Sequence, residues 1–361
     1  MLDIVKMHAP FRNELIAKLT EVLDSGSYIN GKYVEQFENE LAQYTGTKKA
    51  VGVTSGTDAL ILALMALDVK PGDEIITTSF TFFATVGSIV RLGAKPVFAD
   101  IDPVTFNIDA AEIESKITRR TVGIMPVHLF GQPCDMQKIN AIASKHKLWV
   151  VEDAAQSIGA LQNGVMCGAM STIGTYSFFP AKNLGCIGDG GACVTNDAAL
   201  GAKMEILRNH GMNPRYYHKL VGGNFRLDAL QAAVLSVKLP HLKAWETKRR
   251  AAAQCYETLL AGNKNIVTPI ELPGNYHVYN QYELRVLGGR RDSAMKALTD
   301  AGIASAIYYP VPLHLQECFT NLGGSPGDLP ITERACEEVL AVPIMIGDAE
   351  CRVVAEVLNA N

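Results

Sequence analysis

No uninterrupted apolar run in the chain approaches the roughly 18–20 residues that span a bilayer. Its opening, Met1-Leu-Asp-Ile-Val-Lys-Met-His8, lacks the basic segment, apolar core and small-residue cleavage site of a secretory leader. These two absences predict a protein that is neither membrane-spanning nor exported, hence cytoplasmic. Charge of one sign is scarce as well. A formal net charge of −4 over 361 residues provides neither a polybasic surface for nucleic acid nor an acidic tail. The cysteines Cys134, Cys167, Cys186, Cys193, Cys255, Cys318, Cys336 and Cys351 are scattered without a C-x-x-C pair and read as reduced thiols, mostly packing residues. The histidines form no H-x-x-x-H spacing, so no metal site is expected. There is no repeat or low-complexity tract, and no G-x-G-x-x-G follows the first predicted strand, which argues against a Rossmann-type dinucleotide binder.

What is present is alternation. A chain of this length with 48% apolar residues can bury a substantial core and exceeds the usual size of one domain, so a large and a small domain are expected. Apolar β-rich runs at 50–53, 74–78, 96–100, 122–127, 148–152, 173–178 and 192–195 predict strands. Helical periods fall between the early ones, at 57–66, 85–92, 110–117 and 136–147. Such alternation implies a mostly parallel sheet covered on both faces, an α/β fold. The last two strands follow without a long crossover, and the glycines at 185, 188, 190 and 191 permit the sharp connection. After a helix at 227–239 the character changes. Residues 1–245 are assigned to the large domain and 246–361 to a small α/β domain, entered through a charged, exposed helix around Lys248-Arg249-Arg250. The small domain has predicted strands at 282–286 and 306–309 and helices at 293–301 and 331–340.

Three segments carry chemistry. Lys182 is a lone lysine within the apolar, glycine-rich run 175–192. By itself it reads as a surface-loop residue. Desolvation would lower its pKa and make it a nucleophilic amine of the kind that forms a Schiff base. Upstream, Val150-Val-Glu-Asp153-Ala-Ala-Gln156 ends an apolar run on an aspartate at the carboxyl end of a strand, where parallel α/β folds place ligands. An acid there can hold a protonated pyridine nitrogen, the electron sink of pyridoxal 5'-phosphate. The third segment, Thr54-Ser55-Gly56-Thr57-Asp58, is a small-residue turn opening an apolar-periodic helix, a place for phosphate at unpaired helix N–H groups, although these residues are equally suited to capping.

Gly56-Thr57-Asp58-Ala59-Leu60, Glu152-Asp153-Ala154-Ala155-Gln156, Ser177-Phe178-Phe179-Pro180-Ala181-Lys182-Asn183 and Gly188-Asp189-Gly190-Gly191 together resemble the DegT/DnrJ/EryC1/StrS family of PLP-dependent nucleotide-sugar aminotransferases. The likeness runs in order from about residue 26 to residue 231. It implies the seven-stranded, mostly parallel sheet of a fold-type I PLP-dependent transferase, a homodimer with shared active sites, and specific roles. Lys182 is the catalytic lysine. Gly56, Thr57 and Ser177 lie at the cofactor phosphate, Asp153 at the ring nitrogen and Gln156 at the phenolate oxygen. Phe82 stacks on the ring, whereas Phe80 and Phe83 are core. Asn224 reaches the neighbouring subunit's phosphate. Arg226 lies on the substrate side; by composition it is equally able to pair with Asp228 or another acid of its own chain. Relatives with histidine in place of Lys182 are dehydratases, so the lysine favours transamination.

Val278-Tyr-Asn-Gln-Tyr282 and Tyr308-Tyr309-Pro310-Val-Pro-Leu-His314 resemble the branch that aminates C3 of nucleotide-linked 3-keto sugars, which adds Tyr308, Tyr309 and His314 as substrate-binding candidates. The relatives often have histidine at position 308 and serine or threonine at 181. The expected reaction takes the amino group from L-glutamate to a UDP-linked 2-acetamido-2-deoxy-3-keto-hexuronate. A dTDP-3-keto-6-deoxyhexose is the alternative sugar, and a non-catalytic PLP-binding regulatory protein the alternative of another class.

Overall fold

The computed structural model describes residues 3–361. Its main sheet has seven strands in the spatial order Lys49–Val53, Gly191–Thr195, Ile173–Ser177, Trp149–Asp153, Thr121–Ile124, Glu74–Thr78 and Lys95–Ala99. Only Gly191–Thr195 is antiparallel to its neighbours. The remaining neighbouring pairs are parallel, with registers such as Ile76 to Val97 and Val151 to Ile173. All seven strands expected between residues 50 and 195 are therefore present, shifted by up to three residues at their ends. The central strands are buried on both faces, so they read as continuous apolar runs. One core, with Leu60, Leu64, Val151 and Ile173, packs the helix Gly56–Ala66 on the sheet. On the other face the helix Lys32–Thr45 contributes Phe37 and Leu41 and the helix Ala229–Lys238 contributes Val234 and Leu235.

A second core gathers Tyr256, Tyr282, Leu284, Leu298, Leu340 and Leu358 around a three-stranded antiparallel sheet of Ile266–Val267, Tyr282–Val286 and Val339–Val342. The helix Leu242–Leu260 joins this core to the cluster of Phe37, Leu41 and Val234, with Leu242 and Trp245 in that cluster and Ala252, Tyr256 and Leu260 in the second core. Of its charged stretch, only Lys248 is the exposed residue expected from sequence. Arg249 is buried and donates to the carbonyls of Tyr279 and Asn280, and Arg250 pairs with Glu271.

Two other expectations in this region are corrected. The segment 306–309 is not a strand; it makes a single antiparallel bridge, Ala306 to Ala341. The helix expected at 331–340 stops at Glu338, and Val339 turns extended (φ −71°, ψ 141°) to begin the strand Val339–Val342. No glycine or proline separates helix from strand there, so periodicity alone merges them. Among the described residues no helix is long and apolar enough to cross a membrane. The eight cysteines are free thiols, six of them buried.

Candidate active site

Asp153 is the last residue of its strand and is buried at the carboxyl end of the sheet. Its backbone is held on both sides: its N–H donates to Pro126 O at 2.9 Å, and its carbonyl accepts from His128 N at 3.0 Å. The carboxylate accepts from Thr85 Oγ1 at 2.8 Å and from Ala155 N at 3.2 Å. Burial raises its pKa; the Thr85 and Ala155 donors and the Lys182 ammonium oppose that rise. A buried acid held this way has an energetic incentive to meet a cation.

Lys182 supplies the complementary anomaly. Loss of water lowers its pKa to about 8, and the attraction of Asp153 only partly offsets this. The loop carrying it is fixed at its base by Lys182 N donating to Phe179 O at 2.8 Å, Phe178 N to Gly190 O at 2.8 Å and Cys186 N to Phe178 O at 2.7 Å. At pH 7 roughly a tenth of the amine is then free, far more than for an ordinary lysine.

The turn before the helix Gly56–Ala66 forms a third corner. Ser55 is the N-cap, its Oγ accepting from Asp58 N at 3.1 Å, and Asp58 in turn pairs with the Thr54 hydroxyl. Such a cap stabilises by about 1 kcal/mol. Capping and an anion site coexist here, because first-turn N–H groups still lack intrahelical partners. Ser177 lies against Gly56: a Cβ on Gly56 would stand 2.5 Å from Ser177 Cβ. Gly191 is equally constrained, since a Cβ there would meet Ser55 O at 2.4 Å. Thr57 is exposed on the same turn. Gly56, Thr57 and Ser177, separated in sequence, are thus brought together.

Gln156 is buried and its amide is oriented from both ends: Oε1 accepts from Phe130 N at 2.6 Å and Nε2 donates to Tyr309 Oη at 3.1 Å. Tyr309 links this group to Phe82, their ring centroids 6.3 Å apart. Phe82 is 57% exposed, the N-cap of the helix Phe83–Arg91, four residues beyond the strand Glu74–Thr78. Phe80 is core, as expected. Phe83 is not; it is 48% exposed and stacks on Phe319 at 5.3 Å.

The substrate-side candidates are less united. Arg226 finds no acid: one guanidinium N–H donates to Asn209 Oδ1 at 2.8 Å, while its buried Nε has no partner. Asn224 is exposed, its backbone bridged to Asn209. Tyr308 is half-buried, its ring 5.9 Å from that of Tyr309. His314 lies buried, Nδ1 against Ser79 Oγ at 2.8 Å and Nε2 against Glu333 Oε1 at 3.2 Å. With both ring nitrogens occupied, His314 braces the loop after the strand Glu74–Thr78 rather than presenting a free donor to a sugar.

Sequence reasoning missed three contributors. Thr85 was placed in a helix without a task, yet it holds Asp153. Glu152 and His128 are both fully buried and paired at 2.9 Å. Because Cys134 N donates to His128 Nδ1 at 3.0 Å, the ring proton is on Nε2 and points at Glu152. Glu152 also accepts from Gly168 N at 2.6 Å and Met170 N at 2.9 Å. Two adjacent acids ending an apolar run were the available signal.

The donor set fits pyridoxal 5'-phosphate: a desolvated amine for the aldehyde, a buried acid for a ring cation, and a capped helix N-terminus lined by small residues for phosphate. Comparison with known proteins agrees. A model of the DegT/DnrJ/EryC1/StrS aminotransferase family matches residues 10–358. The chain is 50% identical to a pleiotropic regulatory protein of Geobacillus stearothermophilus, across 95% of this chain and 92% of that one. It is 44% identical to a UDP-N-acetyl-3-dehydro-alpha-D-glucosamine 3-aminotransferase of Acidithiobacillus ferrooxidans, over 95% and 92%. It is 41% identical to a UDP-2-acetamido-2-deoxy-3-oxo-D-glucuronate aminotransferase of Pseudomonas aeruginosa, over 95% and 94%. Its fold matches the crystal structure of S. venezuelae DesV in complex with a ketimine intermediate with a TM-score of 0.97, at 39% identity over 99% of this chain and 96% of that one. The chain therefore belongs to the DegT/DnrJ/EryC1/StrS aminotransferase family and is a pyridoxal 5'-phosphate-dependent enzyme.

Proposed function

We propose that this aminotransferase moves the amino group of L-glutamate to C3 of a nucleotide-linked 3-keto sugar, and that the sugar is UDP-2-acetamido-2-deoxy-3-keto-hexuronate. The observation that carries the reaction is the pairing of a lysine whose pKa falls to about 8 with a buried aspartate at a strand end. Pyridoxal phosphate, when bound, supplies an aldehyde that takes up amino groups and a ring that withdraws electrons. Each residue then has a task. Lys182 Nζ would hold the cofactor aldehyde and, when free, would accept the proton that leaves the donor α-carbon and return it as an acid. Asp153 holds the proton on the ring nitrogen. Gln156, locked by Phe130 N and Tyr309 Oη, would serve the phenolate oxygen, and Phe82 would stack on the ring. Gly56, Thr57, Ser177 and the helix N-terminus receive the phosphate. In a homodimer, Asn224 serves the neighbouring subunit's phosphate.

Arg226 supports the anionic part of the reading. A guanidinium with a buried Nε–H that lacks an acceptor is suited to a carboxylate, which both L-glutamate and a hexuronate carry. Similarity to two UDP-linked 3-keto-sugar aminotransferases supports the nucleotide and the carbon aminated. Tyr308 and Tyr309 form the sugar side of the pocket. A regulatory role without turnover is the second reading, favoured by the name of the Geobacillus relative; in it Lys182 and Asp153 would hold the cofactor without transferring an amino group.

The test is the near-visible absorption of the purified protein before and after L-glutamate, followed by presentation of the two keto sugars in turn to the glutamate-treated enzyme. Bleaching by glutamate and recovery on the UDP-hexuronate is expected. Recovery only on a dTDP-6-deoxyhexose would overturn the sugar assignment. An absorption band that no amino donor changes would favour the regulatory reading.

A further inference from the structure

Lys238, the last residue of the helix Ala229–Lys238, is fully buried at 0% exposure. Its ammonium meets no carboxylate in an ion pair among the described residues. Nζ donates instead to the Gly185 carbonyl, three residues beyond Lys182, and lies 2.9 Å from His8 Nε2. Two helical turns earlier, on the same face, Gln231 Oε1 accepts from Ile187 N at 3.0 Å. One helix therefore grips the Lys182 loop at Gly185 and again at Ile187. The far side of the grip is the N-terminal helix Ile4–His8, anchored by Phe11, whose ring stacks on His241 at 4.9 Å.

A buried amine without a counter-ion is costly, and an apolar side chain of similar volume would pack there at lower free energy. What the amine provides is a donor for a carbonyl that would otherwise be buried unbonded. We propose that Lys238 is a positioning residue for Lys182: it fixes the loop through the Gly185 carbonyl, with His8 as the acceptor that orients its amine. This rests on the reading of Lys182 as the reacting amine, and on nothing about the sugar.

The test uses the full chain freed of cofactor. Trace acetic anhydride labels Lys182 across a pH series, read by peptide mass spectrometry, and the rate of pyridoxal phosphate uptake is read by absorbance. Lys238→Met is expected to move the midpoint of the Lys182 labelling profile and to slow cofactor uptake roughly tenfold, in line with the sensitivity of reacting groups to small displacements. His8→Ala should move both readouts in the same direction by less, and His8→Asn, which keeps an acceptor, should restore them. If Lys238→Met does not fold, the His8 pair decides. A lowered melting temperature with the labelling profile and uptake rate within about twofold of wild type would show a merely structural lysine and overturn the proposal. Labelling that follows Lys238 in a protein that transaminates nothing would sink the functional reading and leave this one standing.

Discussion

The two walls of the site are built differently. On the wall of Asp153, Gln156, Ser177 and Gly56, residues sit at strand ends, in the turn just after one or in the first turn of a helix, and Asp153 and Gln156 have both ends of their polar groups fixed by neighbours. On the wall of Asn224, Arg226 and Tyr308, side chains come from loops, Asn224 is exposed and the Arg226 Nε lacks an acceptor. In the first, Asp153 and Gln156 find their partners within one chain. The second has unfilled hydrogen-bonding capacity, which is what a surface awaiting a substrate or a second subunit offers. A site of this kind can keep one chemistry while changing its substrate, because strand ends are fixed by the sheet and loops are not.

Breaking the first wall should have the larger effects. Lys182→Ala is expected to abolish the near-visible cofactor band and lower turnover by at least ~10³-fold, in the range general acid–base groups supply; retained turnover in a steady-state assay would remove the central role. Asp153→Asn should keep bound cofactor yet lose about 10²-fold in rate, as expected when a charge partner that shifts a pKa by 1–3 units is neutralised. Tyr309→Phe removes one hydroxyl from Gln156 and should cost about 1 kcal/mol, roughly fivefold in kcat/KM.

The second wall and its supports should respond differently. His314→Ala should lower stability by about 1–3 kcal/mol in urea unfolding through the loss of its bonds to Ser79 and Glu333, with the KM for the keto sugar within about twofold of wild type. A large rise in KM without loss of stability would return His314 to the substrate. A further effect is a pH trend in the cofactor-free protein. Lys182 is lowered from 10.5 to about 8, so between those values the unfolded chain binds more protons than the folded one, and stability rises with pH. Lys182→Met lacks this contribution. Its stability advantage over wild type should be full below pH 8 and shrink towards pH 10.5, as read by denaturant unfolding at each pH.

Legibility in the sequence follows the same division. Lys182, Asp153 and the Ser55–Asp58 turn were readable because each is a local pattern whose meaning is set by neighbours in the chain. The strands from 50 to 195 were readable because buried parallel strands are uninterrupted apolar runs. Val339–Val342 was not, since a short apolar strand appended directly to a helix has the period of either. Thr85, His128 and Arg249 were not, because their partners Asp153, Glu152 and Tyr279–Asn280 lie 24 to 68 residues away and nothing local announces the contact. His314 misled for the same reason: its partners Ser79 and Glu333 become visible only when the chain is folded.

The strand Trp149–Asp153 ends on two acids that point to opposite faces. Glu152 is held by His128 and by two backbone N–H groups, so that acid is immobilised on the side away from Thr85. A slip of the strand by one residue would exchange the faces and place a carboxylate longer by one methylene where Asp153 stands. The clamp on Glu152 thus acts as a ruler: by penalising every other alignment of this strand, it sets the depth at which the adjacent aspartate ends.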